Sequence, residues 1–266
     1  MLEIEFAQLS DPGLVRGHNE DFLGHVAPDT PERARSHGWL FALADGVGGQ
    51  DLGEVASRTA VESMLEGFAR AAPAEPHSTV LSRLVQAANT RVYETGRSSG
   101  PGGVRMATTI VACALRFDRV TVAHIGDSRC YLIRRGSASA LTRDHTVVND
   151  QVRIGVMSAK EAAQSEKRHV LSRSLGNDLF VNVDTSEHQV LPGDVLLLCS
   201  DGLHGALPEA ELAGIVSRHP DLAAAAQCLV ELANERDGSD NVTVQLIRIK
   251  SVERIGMYRG RPYKLR

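Results

Sequence analysis

The order in which apolar segments arrive limits this chain more than any other feature. Short, often β-branched runs come in groups, several with no helix between neighbours. They are Ile4 to Leu9, Trp39 to Ala44, Thr108 to Leu115, Val120 to Ile125, Cys130 to Ile133, Val195 to Cys199 and Val242 to Ile249. Their length and composition predict strands. The tight polar link Arg116-Phe117-Asp118-Arg119 between two of them reads as a hairpin. A parallel, doubly wound sheet needs a helix between successive strands. Strands in runs therefore predict an antiparallel α+β fold.

Helical spacing of apolar residues is confined to the stretches between these runs. Glu54 to Arg70 carries Val55, Thr59, Met64, Leu65 and Phe68; Val80 to Thr95 carries Leu81, Leu84, Val85, Ala88 and Val92; Leu222 to Asn234 is a third helix. Two long helices adjacent in sequence, with strands on either side, predict a helix pair packed on a sheet. Asp144 to Leu175 is different: it is polar, rich in Ala, Ser and charge, and lacks a strong period. It reads as a surface flap, with a short helix started by the capping-box pattern Ser158-Ala159-Lys160-Glu161. Ser251 to Arg266 sets Arg254, Arg259, Arg261, Lys264 and Arg266 against Glu253 alone, and reads as a solvated basic tail.

Composition narrows the class. The formal net charge of -4 over 266 residues argues against nucleic-acid binding by bulk electrostatics, which needs a basic face. Cys113, Cys130, Cys199 and Cys228 form no C-x-x-C pair, and two of them lie in apolar runs. Buried reduced thiols in a reducing cytosol are the expectation. The start, Met1-Leu2-Glu3-Ile4-Glu5, shows no signal-peptide pattern, and no apolar run is long enough to span a bilayer. The expected location is cytoplasmic.

The chemistry lies in acids at strand ends. Leu40-Phe41-Ala42-Leu43-Ala44 runs into Asp45-Gly46, Leu196-Leu197-Leu198-Cys199 into Ser200-Asp201-Gly202, and Val122-Ala123-His124-Ile125 into Gly126-Asp127-Ser128-Arg129. Asp240 stands at the entrance of the last strand. A single Asp-Gly is ordinary turn chemistry. Four such acids, with Glu20 and Asp21 besides, would repel one another at one end of a sheet unless cations neutralised them. An all-oxygen set suits Mg²⁺ or Mn²⁺. Glycine after the acid lets a backbone carbonyl join such a set. Arg16, a few residues before Glu20 and Asp21, is suited to bidentate contact with phosphate oxygens. Gly46-Val47-Gly48-Gly49 lacks the lysine of a nucleotide loop and reads as a metal-site turn.

Asp11-Pro12-Gly13-Leu14-Val15-Arg16 through Asn19-Glu20-Asp21, then Ala44-Asp45-Gly46-Val47-Gly48-Gly49, Gly126-Asp127-Ser128-Arg129, Ser200-Asp201-Gly202 and Ser239-Asp240-Asn241-Val242-Thr243, resemble the ordered motifs of the 2C-type metal-dependent serine/threonine protein phosphatases. Leu141 to Thr146 and Leu171 to Gly176 resemble the segments bounding the flap in compact bacterial members. The resemblance implies an α+β, four-layer α-β-β-α sandwich with two central antiparallel sheets. It implies a phosphatase domain over 1–250, with a flap at about 144–175, and a basic tail over 251–266.

The same resemblance implies the roles. Asp45 would bridge two ions, Mn²⁺ or Mg²⁺, one of them also bound by the Gly46 carbonyl; Asp201 and Asp240 would complete the other site. Glu20 would act through metal-bound water, Asp21 in support, and Asp127 with Asp201 at a third metal. Arg16 would hold the phosphate while a metal-bridging hydroxide attacks directly. The implied substrates are proteins phosphorylated on serine or threonine, opposing a bacterial kinase; a monomer is expected, with no nucleic acid or membrane partner. The alternatives are a two-metal hydrolase of small phosphoesters and a non-catalytic binding relative. Val47 stands where some members have a histidine acid, so a water at the third metal is the expected proton donor. Ser200 and Ser239 read as turn residues, His124 as a satisfied core histidine, His18 as a structural or surface residue, and His145 and His169 as surface residues of the flap, with a hinge or substrate-contact role the alternative.

Overall fold

A computed structural model describes residues 1–47, 52–99, 102–258 and 261–264, with side chains described through 254. The first strand, β1 (Glu3–Asp11), is followed by β2 (Asp21–Val26), the short helix α1 (Pro31–Ser36) and β3 (Trp39–Asp45). The two long helices, α2 (Gly53–Ala69) and α3 (His77–Ser98), come next. Four strands then run in sequence: β4 (Ile110–Arg116), β5 (Arg119–Ile125), β6 (Arg129–Arg134) and β7 (Ser137–Ala140). The flap holds α4 (Val147–Arg153) and α5 (Ala159–Gln164), and β8 (Asp184–Gln189) and β9 (Val195–Cys199) follow it. The chain continues through α6 (Asp201–Ala206), α7 (Glu209–Arg218), α8 (Leu222–Arg236) and β10 (Val242–Ser251).

Two five-stranded antiparallel sheets form the centre, ordered β2-β3-β4-β5-β8 and β1-β10-β9-β6-β7. The predicted α+β sandwich is therefore what the chain adopts. Side-chain alternation explains the layering. Along β3, Leu40, Ala42 and Ala44 pack against α2 and α3, whereas Phe41 and Leu43 point into the space between the sheets. Along β9, Val195, Leu197 and Cys199 face α7 and α8, and Leu196 and Leu198 meet the other sheet. Covering on both faces is why these strands read as continuous apolar runs, where an antiparallel strand with one wet face would alternate. Each large apolar side chain buried in this way contributes roughly 1.5–3 kcal/mol.

The hairpin at Arg116–Arg119 forms as expected, with the two arginines paired across it. So does the capping box: Ser158 N donates to Glu161 Oε2 at 2.8 Å, and Glu161 N to Ser158 Oγ at 3.3 Å. β2, β7, β8, α1, α4, α6 and α7 have no counterpart in the sequence reading. The flap is stitched shut at its base, where Val147 N donates to Val170 O at 2.9 Å and Ser172 N to His145 O at 2.8 Å. Beyond β10, β11 (Ile255–Tyr258) and β12 (Arg261–Lys264) pair as a hairpin within the stretch read as a basic tail. The side chains of Arg259, Arg261, Lys264 and Arg266 lie outside the described residues, as do Gly48 and Gly49 of the glycine-rich turn.

Candidate metal and phosphate site

Antiparallel order decides where the acids meet. Asp45 closes β3, Asp127 follows β5 and Asp201 follows β9, while Asp21 opens β2 and Asp240 precedes β10. Because β2 is antiparallel to β3, and β10 to β9, all five fall at one end of the sandwich. Arg16, Glu20, Asp45, Gly46, Asp127, Asp201 and Asp240 line one cavity of about 650 Å³. Asp21 sits behind it, buried, in register with Asp45 across β2 and β3.

Each acid is held by its backbone. Asp45 N donates to Thr109 Oγ1 at 2.9 Å, and the Asp45 carbonyl accepts from Thr108 Oγ1 and Thr109 N, both at 2.8 Å. Gly46 N donates to Glu20 O at 3.1 Å. A Cβ on Gly46 would overlap the Gly53 carbonyl, so the turn admits only glycine through close approach rather than a left-handed backbone. Asp201 is the first residue of α6, and Ser200 before it is more than a turn residue. Its hydroxyl donates to Asp21 Oδ2 at 2.7 Å and accepts from Thr243 N at 3.0 Å. Asp240 Oδ2 accepts from Arg16 Nη2 at 2.8 Å.

Three positioning residues carry no role in the sequence reading. Asn241 takes the Glu20 N–H on its Oδ1 at 2.8 Å and donates through Nδ2 to the Pro12 and His18 carbonyls, fixing the loop that carries Arg16. His204 donates through Nε2 to the Asp127 carbonyl at 2.9 Å. His145, read as a surface residue, is buried: its N–H donates to Gly126 O at 2.9 Å while its Nδ1 accepts the Gly126 N–H at 3.2 Å. Asn241 and His145 each stood inside a recognised motif that named no role for them; His204 gave no local signal. His169 is exposed, as read, and lines the cavity with Nδ1 3.5 Å from Asp201 Oδ2. His124 is buried with Nε2 2.9 Å from the Arg143 carbonyl, as read, and His18 is exposed.

The electrostatics are those of crowded acids. Burial, then the charges of Asp21, Asp201, Asp127 and Asp240, hold Asp45 well above the carboxylate range. Burial and neighbouring acids raise Asp21 to about 7 and Asp127 to about 8. Burial would also raise Asp201, but contact with His169, the nearby His204 and a hydrogen bond with Asp45 bring it below its ordinary value. The Oδ1 atom of Asp21 is buried without a hydrogen-bond partner. Such an orphaned carboxylate oxygen behind a cluster of like charges fits divalent cations, and the all-oxygen donor set suits Mg²⁺ or Mn²⁺.

A second group of potential donors, His124, His145 and Asp184, lies within 4.8 Å of one another. It fits a cation poorly. His145 Nδ1 is occupied by the Gly126 N–H, which leaves the proton on Nε2, 3.3 Å from Asp184 Oδ2. Arg173 Nη1 and Arg143 Nη2 already face the Asp184 carboxylate at 3.0 and 3.6 Å.

Comparison with known proteins agrees with this geometry. The family model "Protein phosphatase 2C" matches residues 19–239. The serine/threonine phosphatase stp of Listeria innocua is 34% identical over 257 residues, covering 95% of this chain and 96% of that one. The solved serine/threonine phosphatase of S. agalactiae superposes with a TM-score of 0.84 at 32% identity, over 93% of this chain and 100% of that one. The catalytic domain of the serine/threonine protein phosphatase PstP, solved in complex with two manganese ions, superposes with a TM-score of 0.78 at 31% identity, over 94% and 100% of the respective chains. With most of its length matched and its acids gathered at one end of the sandwich, the chain belongs to the protein phosphatase 2C family.

Proposed function

We propose that this chain hydrolyses phosphoserine and phosphothreonine in proteins, using Mn²⁺ or Mg²⁺. The observation that supports the reading is the meeting of Arg16 with Asp45, Asp127, Asp201 and Asp240 in one cavity. Asp45, the Gly46 carbonyl, Asp201 and Asp240 would hold two ions between them. Glu20 assists through water, Asp21 backs the site, and Asp127 joins Asp201 at a third ion. Ions held there supply charge stabilisation at the phosphoryl oxygens and a water of lowered pKa.

The chain's own residues do the rest. Arg16 presents a guanidinium at the cavity mouth, where it binds and orients the equatorial phosphate oxygens. Thr108 and Thr109 hold the Asp45 peptide so that its carboxylate direction is fixed before substrate arrives. Asn241 holds Glu20 and the Arg16 loop at a constant distance from the acids. Preorganisation of this kind removes reorganisation from the chemical step. The proposed substrates in the cell are a cognate serine/threonine kinase and its targets, met by a monomer in the cytoplasm.

Turnover of a phosphothreonine peptide and of free nucleotides, each before and after chelation and metal addition, tests the reading. Peptide turnover lost on chelation and restored by Mn²⁺ or Mg²⁺ is expected. Equal or faster nucleotide hydrolysis favours a small-phosphoester hydrolase. Activity that survives thorough chelation rules out the metal-dependent mechanism.

A further inference from the structure

The cavity has a second wall, away from the acids, built by the segment between the flap and β8. Asn177, Asp178, Phe180, Val181 and Asn182 line it. Two amide side chains of α3 strap this segment down. Asn89, fully buried, accepts the Gly176 N–H on Oδ1 at 2.8 Å and donates to the Asp178 and Leu179 carbonyls at 2.8 and 3.0 Å. Gln86 donates to the Leu179 carbonyl at 2.9 Å and accepts the Val181 N–H at 3.2 Å. Leu175 on one side is buried, and Val181 on the other packs against the α2–α3 core. Between these anchors Phe180 is 78% exposed.

A single exposed apolar residue is unexceptional on a protein surface. Phe180 differs in two respects. Its backbone is fixed on both sides, so binding has to order only the side chain. It also shares one continuous cavity with Arg16 and the acids. Pockets of about 300–1,000 Å³ accommodate ligands of drug size. At about 650 Å³ this cavity has room for a phosphorylated residue and part of its flanking chain.

We infer that Phe180 is a substrate-docking residue that receives an apolar side chain close in sequence to the phosphorylated serine or threonine. The inference rests on the protein-phosphatase reading and deepens it by naming a feature of the substrate. Apolar burial of this size predicts a preference of about tenfold in kcat/KM.

The test uses the full chain with its metal and a set of phosphothreonine peptides. The set carries Leu, Val, Phe, Ser or Asp at each position flanking the phosphoresidue, and p-nitrophenyl phosphate serves as a substrate with no flanks. The wild type is expected to favour an apolar flank by about tenfold, and Phe180→Ala to lose that preference through KM. Both proteins should share one melting temperature, since Phe180 is exposed and supports no core, and Phe180→Leu should keep part of the preference. A wild type indifferent to the flanks, or a preference that survives in Phe180→Ala, overturns the docking role alone. A wild type active on p-nitrophenyl phosphate but on no peptide overturns the protein-phosphatase reading, and the docking role with it.

Discussion

Arg16 and Asp240, 224 residues apart in sequence, form an ion pair at 2.8 Å at the mouth of the cavity, both partly exposed. The residue assigned to phosphate and a residue assigned to metal are thus each other's partners before either ligand binds. Phosphate on the guanidinium and a cation on the carboxylate replace one charge contact with two, so the pair can open without leaving a bare charge. Replacing Arg16 with Ala is expected to raise KM for a phosphopeptide by about tenfold or more, with a smaller effect on kcat, as loss of a ground-state contact requires. Arg16→Lys should recover only part of this, because an ammonium cannot make the bidentate contact. An unchanged KM in both variants would assign Arg16 to something other than phosphate.

Asp45→Asn separates function from stability at a single atom. The carboxamide keeps the shape and the backbone bonds to Thr108 and Thr109 but removes a charge from the proposed bridging position. Activity is expected to fall by about 10³-fold or more, since each 1.36 kcal/mol of lost transition-state stabilisation is tenfold and a bridging ligand supplies several. The chelated variant should be no less stable than chelated wild type at pH 8, because it removes a buried carboxyl whose charged form burial and the neighbouring acids disfavour. Rates from initial velocities and melting temperatures in chelator decide both halves.

The pH dependence of the chelated protein follows from the same crowding. Asp21 at about 7 and Asp127 at about 8 keep protons in the folded state that the unfolded chain releases near its ordinary value of about 3.9. A raised acid therefore removes stability as pH rises toward the folded value. His77, His145 and His204 are drawn down to about 4 by burial, and they act oppositely between about 4 and 6.5, where the unfolded chain binds the extra protons. Above about 6.5 these three histidines no longer contribute, and His169, raised by its contact with Asp201, acts in the same direction as the acids. Chelated protein should thus lose on the order of 1 kcal/mol per pH unit for each acid still protonated between pH 6.5 and 8. Excess Mn²⁺ should flatten that slope. A chelated melting temperature that rises across the window would contradict the cluster's electrostatics.

What could be seen in the sequence depended on range. β3 and β9 were legible because burial on two faces writes a continuous apolar run, and the acid at each end marked the site. β8, Asp184–Gln189, was not, because an edge strand with alternating exposure carries polar residues that look like loop. Arg16, Asp45, Asp127, Asp201 and Asp240 each sit in a local motif, and the structure brings those motifs together. Ser200 and His145 were misjudged for the opposite reason. Their partners, Asp21 and Gly126, lie 179 and 19 residues away, and nothing in a hydroxyl or an imidazole announces which distant backbone or carboxylate it will meet.

His145 offers the sharpest check on how the site is supported. Its backbone N–H and its Nδ1 hold both sides of the Gly126 peptide, and Asp127 is the next residue. Gly126 itself has a φ of +101°, and a Cβ there would meet Thr109 at 2.6 Å, so the turn cannot be relaxed by another side chain. Removing the imidazole in His145→Ala leaves the Gly126 N–H buried without a partner, which costs about 1–3 kcal/mol. Asp184 keeps Arg173 and Arg143, so its charge remains compensated. The loop bearing Asp127 then loses one of its ties, keeping the His145 backbone N–H and His204, while Asp45 and Asp201 keep theirs. Metal titration of the variant should show a higher Mn²⁺ concentration for half-maximal activity with little change in KM for peptide. A variant destabilised by that amount in urea but unchanged in its metal requirement would make His145 a contributor to stability alone.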